Sequence, residues 1–301
     1  MDCNIMKSIV TGGKGFIGSR LVETLIRQYK DDVIVIDNNS SNNENNKIIK
    51  GAKYHDVDLK DFDKILPLFK GANRVFHMAA DVSIDFCNKN PRISGINNSN
   101  ITLNTLECCR LHNIKKYVFS STAAVYKSKE KNELYKEIDN TCPLNLYSAS
   151  KLFGEHLCKI YYDLYNIETI CLRYFNVYGP NMSLSPYSSV IVKFLNSKEQ
   201  NKPLSIHGDG KQTRDFVFLD DIIEANIIAS KIKLNEYGNV YNIGSGKSIS
   251  IKELAKLISK KYVFLNERKG DVKYSCANIK KTKKDLNWVP KNNIQDYIKN
   301  L

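Results

Sequence analysis

Runs of apolar, β-branched residues recur at residues 8–11, 33–37, 54–59, 74–80, 117–121 and 169–173, and between them apolar positions fall at helical intervals. A continuous apolar run is what a strand buried on both faces requires, and alternation of such runs with helices is the pattern of a parallel sheet. The chain is therefore expected to be of the α/β class, with a doubly wound parallel sheet. Two stretches break the rhythm. Residues 38–46, NNSSNNENN, hold nothing that packs in a core and are expected as a mobile loop. Residues 127–141 are strongly charged and are expected as a second surface loop. Beyond Arg173 the segments shorten, punctuated by Gly179, Pro180, Pro186, Pro203, Gly208 and Gly210. This predicts a first domain over residues 1–173 and a smaller α/β domain over 174–301. Part of 214–245 is expected to rejoin the first, because the apolar run around 216–229 is regular again.

A length of 301 residues with 42% hydrophobic content is enough for a full core. No apolar run approaches the roughly 18 residues that span a bilayer, so no membrane partner is expected. The first strand starts within ten residues of the beginning, which leaves no room for a signal peptide and points to a cytoplasmic protein. Eight cysteines are scattered without a CxxC pair, the pattern of inert thiols in a reducing compartment rather than of a disulfide frame or a metal site. The net charge of +13 comes from lysines spread along the chain, with no basic stripe interleaved with aromatics, so nucleic acid is not the expected partner.

The segment VTGGKGFIG, residues 10–18, sets Gly12, Gly15 and Gly18 between a strand and a helix that opens with Phe16 and Ile17. A backbone without Cβ can approach a pyrophosphate there, and the helix N-terminus favours its charge. Asp37, with Asn38 after it, closes the second strand. A carboxylate there accepts from ribose hydroxyls and repels a 2′-phosphate, which favours NAD over NADP. Lys14, inside the loop, argues the other way because it could reach a phosphate. Asp58 and Leu59 are expected beside the adenine, an alternative for Asp58 being a helix N-cap. Ala79 and Ala80 are small enough for a cofactor to lie against, while His77 reads as a packed strand histidine without chemistry.

Tyr147 and Lys151, the ends of YSASK, stand four residues apart, on one face of a helix and roughly 6 Å apart at Cβ. Alone, such a pair is commonest on an ordinary surface helix; downstream of a dinucleotide loop it reads as a phenol beside a cation. Lowering a tyrosine pKa from about 10 to about 7 takes roughly 4 kcal/mol. A cation about 5 Å away contributes about 3 kcal/mol at an effective dielectric near 20, and an oxidised nicotinamide brings a second. The phenol is therefore expected to titrate low.

With SSTAAVY at 120–126, RYFNVYGP at 173–180, DGKQTRDFVFLDD at 209–221, RKGD at 268–271 and LNWVP at 286–290, these motifs appear in the order of one family. The chain resembles the extended short-chain dehydrogenases/reductases of the NAD-dependent epimerase/dehydratase family, and within it the nucleotide-sugar 4-epimerases. The resemblance implies a Rossmann-type domain and a catalytic set of Tyr147, Lys151 and Thr122. Tyr147 would take the proton of the sugar 4-hydroxyl while NAD takes the C4 hydride, with Thr122 bonded to the same oxygen. A 4-keto sugar would then turn over and receive the hydride on its other face. Lys151 would bond the nicotinamide ribose, and Asn98, Ser120 and Phe175 would border the cofactor. Toward a UDP-sugar the resemblance implies Tyr174, Asn176 and Ser205, with Arg214 and Arg268 on the phosphates, where a guanidinium fork suits oxygen pairs. Asp271 would accept from the nucleotide ribose, and His207 falls where the family lines the base with an aromatic or apolar side chain. Outside this pattern Thr122 would read as a strand-end hydroxyl and Arg214 as a surface ion pair with Asp215.

The chain departs from the family at Lys127 after the VY of the threonine loop, at residues 277–281, and at Asn287. Related 4,6-dehydratases carry Asp-Glu directly after the threonine, and decarboxylases a glutamate in the same loop; here stand Ala123 and Ala124. Without a second acid/base pair, 4-epimerisation is the reaction expected. Ser275 occupies a position where the family uses bulk to limit the C2 substituent; a serine there implies that N-acetylated UDP-sugars enter as well as UDP-glucose and UDP-galactose. A homodimer through helices at about 98–112 and 147–165 is also implied. The alternatives are a dehydratase, decarboxylase or one-way reductase, or a non-catalytic NAD sensor or scaffold.

Overall fold

The computed structural model describes residues 5–40, 48–82, 87, 90–182, 189–268 and 272–301. In chain order the elements are β1 (Lys7–Thr11), α1 (Phe16–Arg27), β2 (Asp32–Asp37), β3 (Lys53–Asp56), α2 (Phe62–Ile65), β4 (Arg74–His77), α3 (Pro91–Leu111), β5 (Lys116–Thr122), α4 (Leu146–Tyr165), β6 (Glu168–Tyr174) and β7 (Asn176–Tyr178). They continue as α5 (Val190–Glu199), β8 (Leu204–His207), β9 (Thr213–Phe218), α6 (Leu219–Lys231), β10 (Asn239–Ile243), β11 (Ser248–Ser250), α7 (Ile251–Ile258), β12 (Tyr262–Leu265), α8 (Lys280–Leu286) and α9 (Ile294–Lys299).

A seven-stranded sheet runs in the order β10-β6-β5-β4-β1-β2-β3, and the pairs β1–β2, β1–β4, β2–β3 and β4–β5 are parallel. The order reverses at β1 and β4, so β1 and its glycine loop lie at the switch point where doubly wound sheets bind ligands. This is the doubly wound sheet expected from the alternating pattern, of the Rossmann type that the resemblance implies. Its core includes Ile9, Ile34, Ile36, Val75, Tyr117 and Phe119 from the strands and Leu106, Leu157 and Tyr161 from α3 and α4.

The chain divides into two compact units: residues 1–122, 145–173 and 223–241, and residues 123–144, 174–222 and 242–301. The second unit holds the three-stranded sheet β11-β9-β7 and the parallel pair β12-β8. Its own core gathers Tyr178, Phe194, Ile206, Phe216, Leu254 and Ile298.

Two expectations need correction. The third strand ends at Asp56, not at residue 59, because the Asp58 carboxylate accepts from the backbone of Lys60 (2.9 Å) and turns the chain. This is a local Asx-type turn rather than an N-cap, since the next helix opens after Asp61. The fourth strand ends at His77, not at residue 80: Ala79 N–H leaves the ladder for the Thr11 hydroxyl (3.3 Å). The charged stretch 127–141 is the surface loop expected, and it is anchored at one point. Tyr135 within it is buried, stacks on Tyr126 (4.8 Å between centroids) and donates its N–H to the Cys276 carbonyl (2.8 Å). A buried aromatic ring removes a large apolar surface from water, which is enough to pin a stretch whose other side chains are mostly solvated. Residues 41–46 of the polar stretch lie outside the described residues.

Candidate active site

The glycine loop is built for close approach. Gly12 has φ +66°, a conformation that favours glycine, and its N–H donates to Ile36 O at 2.9 Å. A Cβ on Gly18 would stand 2.2 Å from the Gly12 carbonyl, and one on Gly12 would meet the Ala79 backbone at 2.7 Å. The loop, the start of α1 and the end of β4 therefore touch through backbone. Gly15 caps α1 without a side-chain bond, and the first turn, with half-buried Phe16 and Ile17, carries no acidic residue. A helix start with no anionic cap is suited to a phosphate.

Asp37, at the end of β2, accepts from the backbone N–H of Lys14 (3.0 Å) and of Asn39 (2.9 Å). The Lys14 ammonium does not point away as a phosphate hook: it bonds Asn39 (2.6 Å) and Asp56 (2.5 Å). Asn38 donates to Asp58 at 3.2 Å, so Asp37, Asn38 and Asp58 do gather at one edge of the sheet, with Leu59 beneath in the core. Asn98 is buried, binding both the N–H and the carbonyl of Asp81 (2.8 and 3.2 Å) and the Ser150 hydroxyl (3.1 Å). It thus ties the chain just past Ala79 and Ala80 to α4. His77 is packed as expected, between the hydroxyls of Thr11 (2.8 Å) and Thr102 (3.2 Å), and burial holds its imidazole well below the usual range.

Helix α4 presents the catalytic candidates. It opens with a capping box between Asn145 and Ser148 and ends on Asn166 in the left-handed conformation. Its first turns place Tyr147 against Thr122, to which the phenol is hydrogen-bonded, and bury Lys151, whose ammonium donates to the Ser120 carbonyl at 2.7 Å. Lys151 also lies 4.9 Å from the Phe119 ring. Phe119 in turn requires Gly154, where a Cβ would stand 2.4 Å from the ring.

The protein's own groups do not by themselves lower the phenol. Burial pushes Tyr147 up to about 12, opposed by the Thr122 hydrogen bond and reinforced by Cys87. Burial also pulls Lys151 down to about 8, against the opposing pull of Cys158, Cys171 and Glu155. Helical spacing brings the two residues to one face, but the ammonium is turned to the Ser120 carbonyl, and the cost of desolvating each ion exceeds what the protein's own charges return.

In the second unit, Asn176 on β7 is aligned with Phe216 on β9, two residues from Arg214, so Asn176 and Arg214 fall on one side of the strand pair. Asn176 is exposed, while Tyr174 and Phe175 are buried. The Arg214 guanidinium donates to the carbonyls of Thr213 (2.8 Å) and Val272 (2.5 Å). Asp215 beside it is buried and accepts from Ser245, Gly246 and Ala277. His207 and Arg268 meet directly: Arg268 Nη2 donates to His207 Nε2 (2.9 Å), which leaves Nδ1 to donate to the Asn266 carbonyl (3.0 Å). Ser205, two residues before His207 on β8, is exposed on the same side, and Ser275 is buried. Asp271 lies outside the described residues.

Sequence reading missed three features here: the Lys14–Asp56 contact, the Cys87 thiol beside Tyr147, and a buried Ser121–Glu155–Arg173 cluster. Only the last left a trace in the sequence, as Glu155 continues the four-residue spacing of Tyr147 and Lys151.

A glycine cradle at the switch point of a Rossmann sheet, with a Tyr-Thr-Lys set at the end of its fifth strand, defines an enzyme of the dinucleotide-dependent, short-chain dehydrogenase class. Residues 8–244 match the family model of the NAD dependent epimerase/dehydratase family, and the chain belongs to that family. Its cofactor is NAD. Over 97% of this chain and 96% of the relative, it is 38% identical to a Methanocaldococcus jannaschii protein provisionally named a UDP-glucose 4-epimerase. It is similar to the Thermotoga maritima UDP-glucose 4-epimerase solved with UDP-glucose, at 32% identity and a TM-score of 0.92, covering 98% of this chain and 96% of that one. It is also similar to a UDP-N-acetylglucosamine 4-epimerase of Methanobrevibacter ruminantium solved with UDP-N-acetylmuramic acid, at 34% identity, a TM-score of 0.90 and the same coverage.

Proposed function

We propose that the protein is a UDP-sugar 4-epimerase that works through a transient 4-keto sugar. The observation that carries this reading is the Tyr147–Thr122 hydrogen bond at the end of β5, followed directly by Ala123 and Ala124 in place of a second acid/base pair. Tyr147 takes the proton of the sugar 4-hydroxyl and returns it, while Thr122 holds the same oxygen within reach, which is the geometry general acid–base transfer needs. Bound NAD would supply the acceptor and donor of the C4 hydride and the positive charge of its oxidised ring, while the protein alone leaves the Tyr147 phenol at about 12. Reaching a working value near 7 takes about 7 kcal/mol, so proton abstraction depends on positive charge beyond what the protein's own groups supply. Gly12, Gly15 and Gly18 with the start of α1 hold the pyrophosphate, Asp37 the adenosine ribose, and Lys151 the nicotinamide ribose. Asn176, Arg214 and Arg268 take the diphosphate of the nucleotide sugar, with Asp271 on its ribose and Ser205 and His207 toward the base.

The small Ser275 side chain supports entry of N-acetylated sugars beside plain ones. Exposed Leu103 and Leu111 on α3, with Phe153, Ile160 and Leu164 on α4, support a homodimer through these helices; sedimentation giving only monomer at micromolar concentration would count against it.

Two substitutions test the reading. Tyr147→Phe should lower epimer formation by about 10²- to 10⁴-fold with NAD still bound, the range of one general acid/base; an indifferent variant would point to a sensor or scaffold. Ser275→Tyr should lower turnover of UDP-N-acetylglucosamine relative to UDP-glucose, and an unchanged ratio would remove Ser275 as the gate.

A further inference from the structure

Tyr147, Lys151 and Glu155 lie at four-residue intervals along one face of α4, and the last three residues of β5 meet them. Thr122 is bonded to Tyr147, the Ser120 carbonyl accepts from Lys151, and Ser121 Oγ donates to Glu155 Oε1 at 2.5 Å. Glu155 is held from the other side by Arg173 at the end of β6, Nε to Oε1 at 2.8 Å and Nη2 to Oε2 at 2.7 Å. Ser121, Glu155 and Arg173 are all buried. A buried ion pair is a poor device for stability, since apolar residues of the same volume do as well or better, whereas a two-pronged guanidinium–carboxylate contact fixes distance and orientation.

We propose that Glu155, clamped by Arg173, is a positioning residue: it sets the register of α4 on β5 and thereby the Tyr147–Thr122 and Lys151–Ser120 contacts. The inference rests on the reading of Tyr147 and Thr122 given above. Among the described residues, the titratable and charged groups facing Lys151 are Glu155 and Cys158 on its own helix, Cys171 on β6, with Arg173 of β6 behind Glu155, and His77 on β4. Glu155 is the carboxylate among them, so it supplies the negative charge that favours the ammonium.

The test compares Glu155→Gln, Glu155→Asp and Ser121→Ala as NAD-loaded enzymes with UDP-galactose, following kcat, KM, the pH profile and the thermal midpoint. Glu155→Gln should lower kcat about tenfold or more with KM within about twofold, the pattern of misplaced reacting groups, and should move the alkaline limb of kcat to lower pH. Glu155→Asp keeps the charge but not the reach, so it should restore the alkaline limb and not the rate. Ser121→Ala leaves the Arg173 clamp in place and should fold even if Glu155→Gln does not, with lower kcat and the wild-type limb. A folded Glu155→Gln with wild-type kcat and pH profile overturns the proposal, as does a Ser121→Ala enzyme identical to wild type. Failure of the underlying reading shows separately, as a wild-type enzyme that forms no 4-epimer.

Discussion

Lys151 illustrates how one side chain is asked to serve stability and chemistry in opposite senses. Its pKa is lowered from 10.5 to about 8 because the buried ammonium has lost its water. Below about pH 8 both folded and unfolded chains hold this proton, and the folded state bears the full cost of a buried charge. Between about 8 and 10.5 the folded chain releases the proton while the unfolded chain keeps it, so stability rises with pH through this window. The shift corresponds to about 3 kcal/mol. Lys151→Met should therefore be more stable than wild type at pH 7 and inactive, with its advantage in thermal midpoint shrinking between pH 8 and 10.5. A midpoint difference that does not change across that interval would show that the ammonium is not desolvated as the geometry implies. Tyr147 acts in the reverse sense: raised above 10, it loses stability to the unfolded phenolate only above pH 10, outside that window.

Among the elements, the β1–loop–α1 unit has the least room. Gly18→Ala would set a methyl 2.2 Å from the Gly12 carbonyl, backbone against backbone, with no side chain able to swing aside. The variant should lose NAD, read as disappearance of bound cofactor after gel filtration, and melt earlier; full retention of NAD would contradict the packing described. This unit was legible in the sequence because strand, glycine spacing and helix are all local signals. The ends of β3 and β4 were not, since each is decided by one competing hydrogen bond, the Asp58 turn and the Thr11 hydroxyl, inside an apolar run that looks continuous. Tyr135 was hidden for a related reason: its partners Tyr126 and Cys276 are respectively near and far in sequence, and charge dominates the local pattern. The spacing of Tyr147 and Lys151 was readable, but the direction of the two pKa shifts was not, because burial depends on residues such as Ser120 and Phe119, which only the tertiary structure brings near.

At the scale of the molecule, the family, the Rossmann sheet and the need for NAD stand on the fold and on similarity across nearly the whole chain. The reaction itself depends on two facts at the end of β5: a phenol bonded to Thr122, and alanines where a further acid and base would sit. The most direct measurement is to run the enzyme on UDP-galactose in D₂O without added reductant and to examine the product by mass and proton spectra. The account predicts UDP-glucose with no carbon-bound deuterium and no net NADH, because the C4 hydrogen returns to the carbon it left while Tyr147 exchanges only a hydroxyl proton. A product carrying deuterium at C5, a stable keto sugar or stoichiometric NADH would contradict it and place the chemistry beyond what Tyr147, Thr122 and Lys151 can perform.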